Sequence, residues 1–270
     1  MVPSRMLRRF LILAWAVLAV ASAGARPATP EEASLLNELL HKTASDLRRW
    51  AYTEHRIMRD HEGKVKSDHL VRYDPSKPYA EQWTPLKING REPSDRDRAR
   101  YRKRGEQSPE AKQGPVPGVQ VGGRDSKRVA LGEVIDVPRA TIAEETATHL
   151  VYEIPLRKVS NERFPPEKFI VHARVRKEGR VLENISAKLR ESFRAKLVVK
   201  VKSGEGSIDF AQVDPEHPAT MVKVAGDATA SILFFNIGGS MSLTRTDLKR
   251  VRPFDERFEV QIGNLKAIDF

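Results

Sequence analysis

The sequence predicts a mainly β (α+β) fold. It is a curved antiparallel sheet of roughly 10–12 strands forming a half-open β-barrel, with an N-terminal amphipathic helix and a short helix packed on or near the concave face. Three observations carry this prediction. First, Phe169, Val171, Ala173 and Val175 alternate with Lys168, His172, Arg174 and Arg176, and Phe193, Ala195, Leu197, Val199 and Val201 alternate with Arg194, Lys196, Lys200 and Lys202. Successive side chains of a strand point to opposite faces, so one face is apolar and the other cationic, as in antiparallel sheets with one wet side. Second, turn signals recur at short intervals at Glu178-Gly179, Ser203-Gly204-Glu205-Gly206, Gly226-Asp227 and Gly238-Gly239. Third, about ten strands at ~4.8 Å spacing make a sheet ~48 Å across, whereas a helix is only ~10–12 Å wide. Two helices cannot cover such a face, so the sheet must curl on itself.

In chain order, residues 1–25 read as a secretory signal peptide. Arg5, Arg8 and Arg9 form the basic region, Phe10 to Val20 is uncharged and apolar, and cleavage is expected after Ala23 or Ala25. The apolar run is shorter than the ~20 residues that span a bilayer, and no cysteine is available for lipid anchoring. Export without lipid anchoring points to the periplasm. Residues 1–25 hold three of the basic residues and no acid, so the net charge of +11 falls by three to +8 on cleavage. Residues 26–270 are expected to form a single half-barrel domain, with no cysteine to make disulfides.

Thr29-Pro30-Glu31-Glu32 supplies an N-cap, a proline in the first turn and a glutamate three residues after the cap. Leu36, Leu39, Leu40, Thr43 and Leu47 follow at helical spacing, which predicts an amphipathic helix from Pro30 to about Arg49. Trp50–Arg59 and Lys64–Tyr73 read as a hairpin, and Gln82–Ile88 as a short strand ending at the Asn89-Gly90 turn. Ser94 with Asp97 can cap a short helix to about Arg104. The stretch 106–125, rich in glycine and proline, reads as a flexible insertion. Ala140–Glu145, Thr148–Pro155 and a meander to Arg250 complete the strands, with one or two more expected in Phe258–Phe270.

Catalytic patterns are weak. Of the seven histidines, at 41, 55, 61, 69, 149, 172 and 217, none forms a metal-ligand spacing, and there is neither cysteine nor a Gly-x-Ser-x-Gly elbow. Asn236-Ile237-Gly238-Gly239-Ser240 reads as a hairpin turn. No enzyme activity, cofactor or metal is therefore expected. An enzyme reading would need three of His55, His69, Glu54 and Asp68 to converge on a common point. The basic run Ser94–Arg104 reads as a solvated helix, and export argues against nucleic acid as a partner. The residues expected to line an apolar cavity are Tyr52, Trp83, Phe169, Val171, Phe193 and Leu197. Arg174, Arg176, Arg194, Lys196, Lys200 and Lys202 are expected to face an anionic membrane surface.

The order of elements resembles the periplasmic lipoprotein-carrier superfamily, the half-barrels of the LolA, LolB and RseB type. Trp50-Ala51-Tyr52-Thr53-Glu54, Arg72-Tyr73-Asp74-Pro75-Ser76-Lys77-Pro78 and Gln82-Trp83-Thr84-Pro85-Leu86 followed by Ile88-Asn89-Gly90-Arg91-Glu92-Pro93-Ser94 are similar to a group of uncharacterised exported bacterial proteins thought to share that fold. The resemblance implies a concave apolar face that takes an acyl chain or lipoprotein, with helices acting as a lid. A second expectation is an interaction or sensory module of the same fold whose cavity is filled by its own side chains.

Overall fold

The computed structural model describes residues 25–108, 119–120, 128–129, 134–158, 165–196, 199–232 and 235–257. The expected signal peptide, most of the insertion at 106–125 and the expected strand at Phe258–Phe270 lie outside the described residues. Twelve strands form one curved, unclosed antiparallel sheet. They are β1 (Arg26–Pro27), β2 (Trp50–Asp60), β3 (Val65–Tyr73) and β4 (Trp83–Ile88), then β7 (Thr141–Glu145) to β14 (Phe235–Arg250). The pair β5 (Val119–Gln120) and β6 (Arg128–Val129) stands apart as a small second sheet. Between β7 and β14 run β8 (His149–Ile154), β9 (Phe169–Arg176), β10 (Val181–Leu189), β11 (Phe193–Lys196), β12 (Val199–Ala211) and β13 (Thr220–Ile232).

The strand order is β1-β7-β8-β9-β10-β12-β13-β14-β2-β3-β4, with β11 also paired to β12. The N-terminal hairpin therefore docks against the last described strand, Trp50 through Asp60 running beside β14. Two helices close the two ends of the inner face. Helix α1 (Pro30–Asp46) begins with the expected capping box: Thr29 accepts from the Glu32 amide and Glu32 accepts from the Thr29 amide. It continues as a 3-10 turn at Leu47–Arg49. Its Leu36 and Leu40 sink among Ile142, Tyr152, Val175 and Leu182 in the larger core. Helix α2 (Asp95–Glu106) repeats the capping box with Ser94 and Asp97. Its Tyr101 is buried on Val71 and Ile88, with Trp83 beside them. Gly105 is required there, because a Cβ would stand 1.8 Å from the Tyr79 carbonyl oxygen.

Local turn chemistry holds where strands are short. Asn89 and Gly90 have φ of 51° and 77°, and Ile88 and Arg91 bond each other across them, which is the two-residue hairpin that positive φ permits. Three expected turns are overturned. Gly204 and Gly206 lie inside β12, Gly226 inside β13, and Gly238 with Gly239 inside β14. These three strands run 13, 13 and 16 residues, more than twice the usual ~5–6. A Cβ on Gly238 would lie 2.2 Å from the Ala228 carbonyl oxygen, and one on Gly239 2.1 Å from that of Arg59. The two glycines, with φ of 152° and 153°, let one strand crowd both its neighbours. They serve as close-approach points and not as a reversal.

Candidate functional site

Register places continuous rows of residues on the inner face. One row pairs Met58 with Met241, Met241 with Gly226, Gly226 with Gly206, Gly206 with Ala187 and Ala187 with Val171. The next runs Leu243, Val224, Ile208, Ile185 and Ala173. At the β9 end these rows are buried under α1. Toward β2 the first row rises into water, with Met58 46% exposed, while the second stays buried at Leu243; Ile237, further along the same face of β14, is 41% exposed. The result is an apolar tract with a glycine floor, lying between the parts of the sheet that the helices cover.

One end of this tract opens into a cavity of about 410 Å³, lined by Arg48, Tyr52, Tyr73, Trp83, Arg104 and Arg245 together with Leu47 and Met221. Cross-strand pairing builds it. Tyr52 is opposite Tyr73 and Tyr73 opposite Trp83, with ring centroids 5.1 Å and 4.4 Å apart. The row of rings is capped by a guanidinium at each end. Arg245 of β14 lies 3.8 Å over Tyr52, and Arg104 of α2 lies 3.8 Å over Trp83. Burial drives the Tyr52 hydroxyl above the usual phenol range. Arg104 keeps contact with water, yet loss of solvation around its guanidinium, and then the nearby Arg56, lower its pKa from the ordinary arginine value.

Counter-charge in the cavity is sparse. Arg245, with 10% of its side chain exposed, meets buried Glu54 at 3.6 Å, and its Nε has no hydrogen-bond partner. Arg48 meets Asp255 at 3.6 Å. Among the described residues Arg104 and Arg56 form no ion pair or hydrogen bond.

Of the six residues expected to line a cavity, Tyr52 and Trp83 meet in this pocket. Val171 is buried in the row described above, and Phe169 stacks edge-on to Phe193 at 6.1 Å, away from the pocket. Leu197 lies outside the described residues. Arg104, Arg245, Arg48 and Tyr73 were not foreseen. Only the i, i+3 placement of Tyr101 and Arg104 on the basic helix hinted at an arginine turned inward.

The expected cationic face is divided. Arg174 and Arg176 on β9 share Glu183, at 3.7 Å and 3.0 Å, and Glu183 also holds His149 at 3.0 Å. Arg174, Arg176 and Glu183 border a second cavity of about 540 Å³ in which Asn184 donates to Asp209. Strand β10 separates them from Arg194 and Lys200, which face each other directly on β11 and β12, both exposed. Lys202 donates to Asn236. Lys196 pairs with Val199 through the backbone, and its side chain lies outside the described residues.

The four groups that an enzyme reading would draw on are split two and two between the faces of the sheet. His55 pairs with Asp68 at 2.8 Å on the outer face. Glu54 and His69 face inward, His69 meeting the Tyr101 hydroxyl at 2.9 Å. Asp214, Glu216 and His217 cluster in the β12–β13 loop, largely in water. No family model, curated protein or solved structure matches the chain. Among the described residues no helix is long and apolar enough to cross a membrane.

Proposed function

We propose that this is a non-enzymatic periplasmic protein that holds an acyl chain or a lipidated partner on the concave face of its half-barrel. The observation that carries the reading is the inward-facing apolar tract left between the two helices, with Met58 exposed opposite Met241 and Ile237 exposed opposite Ala230. Exposed apolar surface on a concave face marks a binding surface. Each methylene laid on it contributes ~0.8 kcal/mol, so a chain of a dozen carbons supplies several kcal/mol after ordering losses. The expected export signal places such a protein where lipoproteins and free acyl chains occur.

Solvent extraction of the purified full chain followed by mass spectrometry should release a stoichiometric lipid. Uptake of a fluorescent fatty acid should fall at least several-fold in Met241→Asp. A clean extract together with no uptake would sink the reading. That outcome would favour an envelope interaction or sensory module of the same fold. Its supporting observation is that the β7–β10 half is already filled by Leu36, Leu40, Tyr152 and Leu182.

A further inference from the structure

We propose that the arginine–aromatic pocket is a binding site for an organic phosphate, taking a dianionic phosphate monoester between Arg104 and Arg245 with the ligand's flat or apolar body beside Tyr73. A guanidinium stacked on a ring spends its face on that ring and keeps its N–H edge for an acceptor. Both arginines are held in this way, 3.8 Å from Trp83 and Tyr52, so their donor edges are fixed before any ligand arrives. The charge balance selects the ligand. Arg48 and Arg245 have Asp255 and Glu54 as counter-ions, which leaves Arg104 in the cavity and, outside its lining but near enough to lower the Arg104 pKa, Arg56: a surplus of two positive charges in and beside the pocket. A carboxylate would cancel one of them, and a phosphate monoester cancels both once its second proton is lost near pH 6. Holding partly desolvated like charges together costs stability, and an anion would repay it. Nearly nine-tenths buried, Arg245 has its Nε without a partner. The volume of about 410 Å³ exceeds what a bare phosphate ion needs and lies within the range of small-ligand sites.

The inference concerns the polar end of a ligand and does not require an acyl chain. Calorimetric titration of the full chain should therefore use phenyl phosphate, with inorganic phosphate, benzoate and phenol as comparisons. Phosphatidic acid in neutral detergent micelles serves as the lipid-borne source of the same group. Phenyl phosphate should bind about tenfold or more tightly than benzoate or phenol, and should weaken as the pH falls below about 6. It should also perturb Trp83 fluorescence. Arg104→Gln should weaken it about tenfold with an unchanged melting profile, and Arg104→Lys should recover only part of the loss. Binding of both phosphate sources with the same dependence on Arg104 would define a headgroup site, and binding of phenyl phosphate alone a site for soluble phosphates. Equal affinity for benzoate, or an Arg104→Gln variant with undiminished affinity, would overturn the proposal. So would binding of phosphatidic acid alone, which would locate the contact on the surface. Phosphate binding beside a clean lipid extract would leave this site standing and remove the acyl-chain reading.

Discussion

Asp46 shows how much of the fold can rest on one carboxylate. It sits at the end of α1, 7% exposed. It accepts the Trp50 indole N–H at 2.8 Å and Arg250 Nη1 at 2.6 Å and 2.7 Å. One side chain thus ties the helix, the start of β2 and the end of β14. Removing it leaves a partly buried guanidinium and a buried indole donor without their acceptor. Asp46→Ala should therefore cost about 3 kcal/mol in urea unfolding. Arg250→Met alone should cost a similar amount, and the double variant clearly less than the sum. The sequence could not have shown this, because residues 46 and 250 meet only through the pairing of the first hairpin with β14. The pocket is the same case. Tyr52 and Trp83 were legible as aromatics on alternating strands near each other in the chain, whereas Arg245 is delivered from nearly two hundred residues away.

At the scale of the element, helix α1 was legible from its cap and leucine spacing because both signals are local. The glycine-rich turns were misread because glycine marks two different needs, a reversal of the chain and a close approach of backbones. Only the length of β12–β14 decides between them. Helix α1 also carries the clearest pH dependence. The hydrogen bonds from Arg26, with smaller help from Thr29, hold the Glu32 carboxyl at a pKa of about 2, against an ordinary 4.5. A carboxyl depressed in the folded state stabilises fully above its unfolded value and loses that contribution as the pH falls from 4.5 toward 2. Glu32→Gln preserves the capping geometry and should lower stability near neutral pH by about 1–2 kcal/mol after solvent screening. The gap should close by pH 2. Denaturant titrations at four pH values would test the trend, and a gap that stays constant or widens in acid would refute it.

For the whole molecule, period two predicted the sheet, but no local signal fixes which strands become neighbours. The net charge of +11 still argues for anionic surroundings, though the cations are dispersed and several are matched by Glu183 and Glu145. Binding to anionic vesicles is therefore expected at low ionic strength and should fall steeply toward 0.15 M salt, where screening acts over ~8 Å. Lys200→Glu should weaken it, and neutral vesicles should bind little. Equal binding to neutral vesicles, or none of this salt dependence, would mean that the charge serves solubility alone.

Among the described residues the sheet does not close and keeps two rims, β1 and β4. Each rim is a row of backbone groups on which another chain could continue the ladder, and in a crowded compartment that is a route to self-association. The protein carries a deterrent at both. The outer strand on one side is only two residues long and ends in Pro27, and the other has Pro85 in its middle. Neither proline can donate a hydrogen bond to a newcomer. An open concave side is thereby separated from openness toward other copies of the same chain.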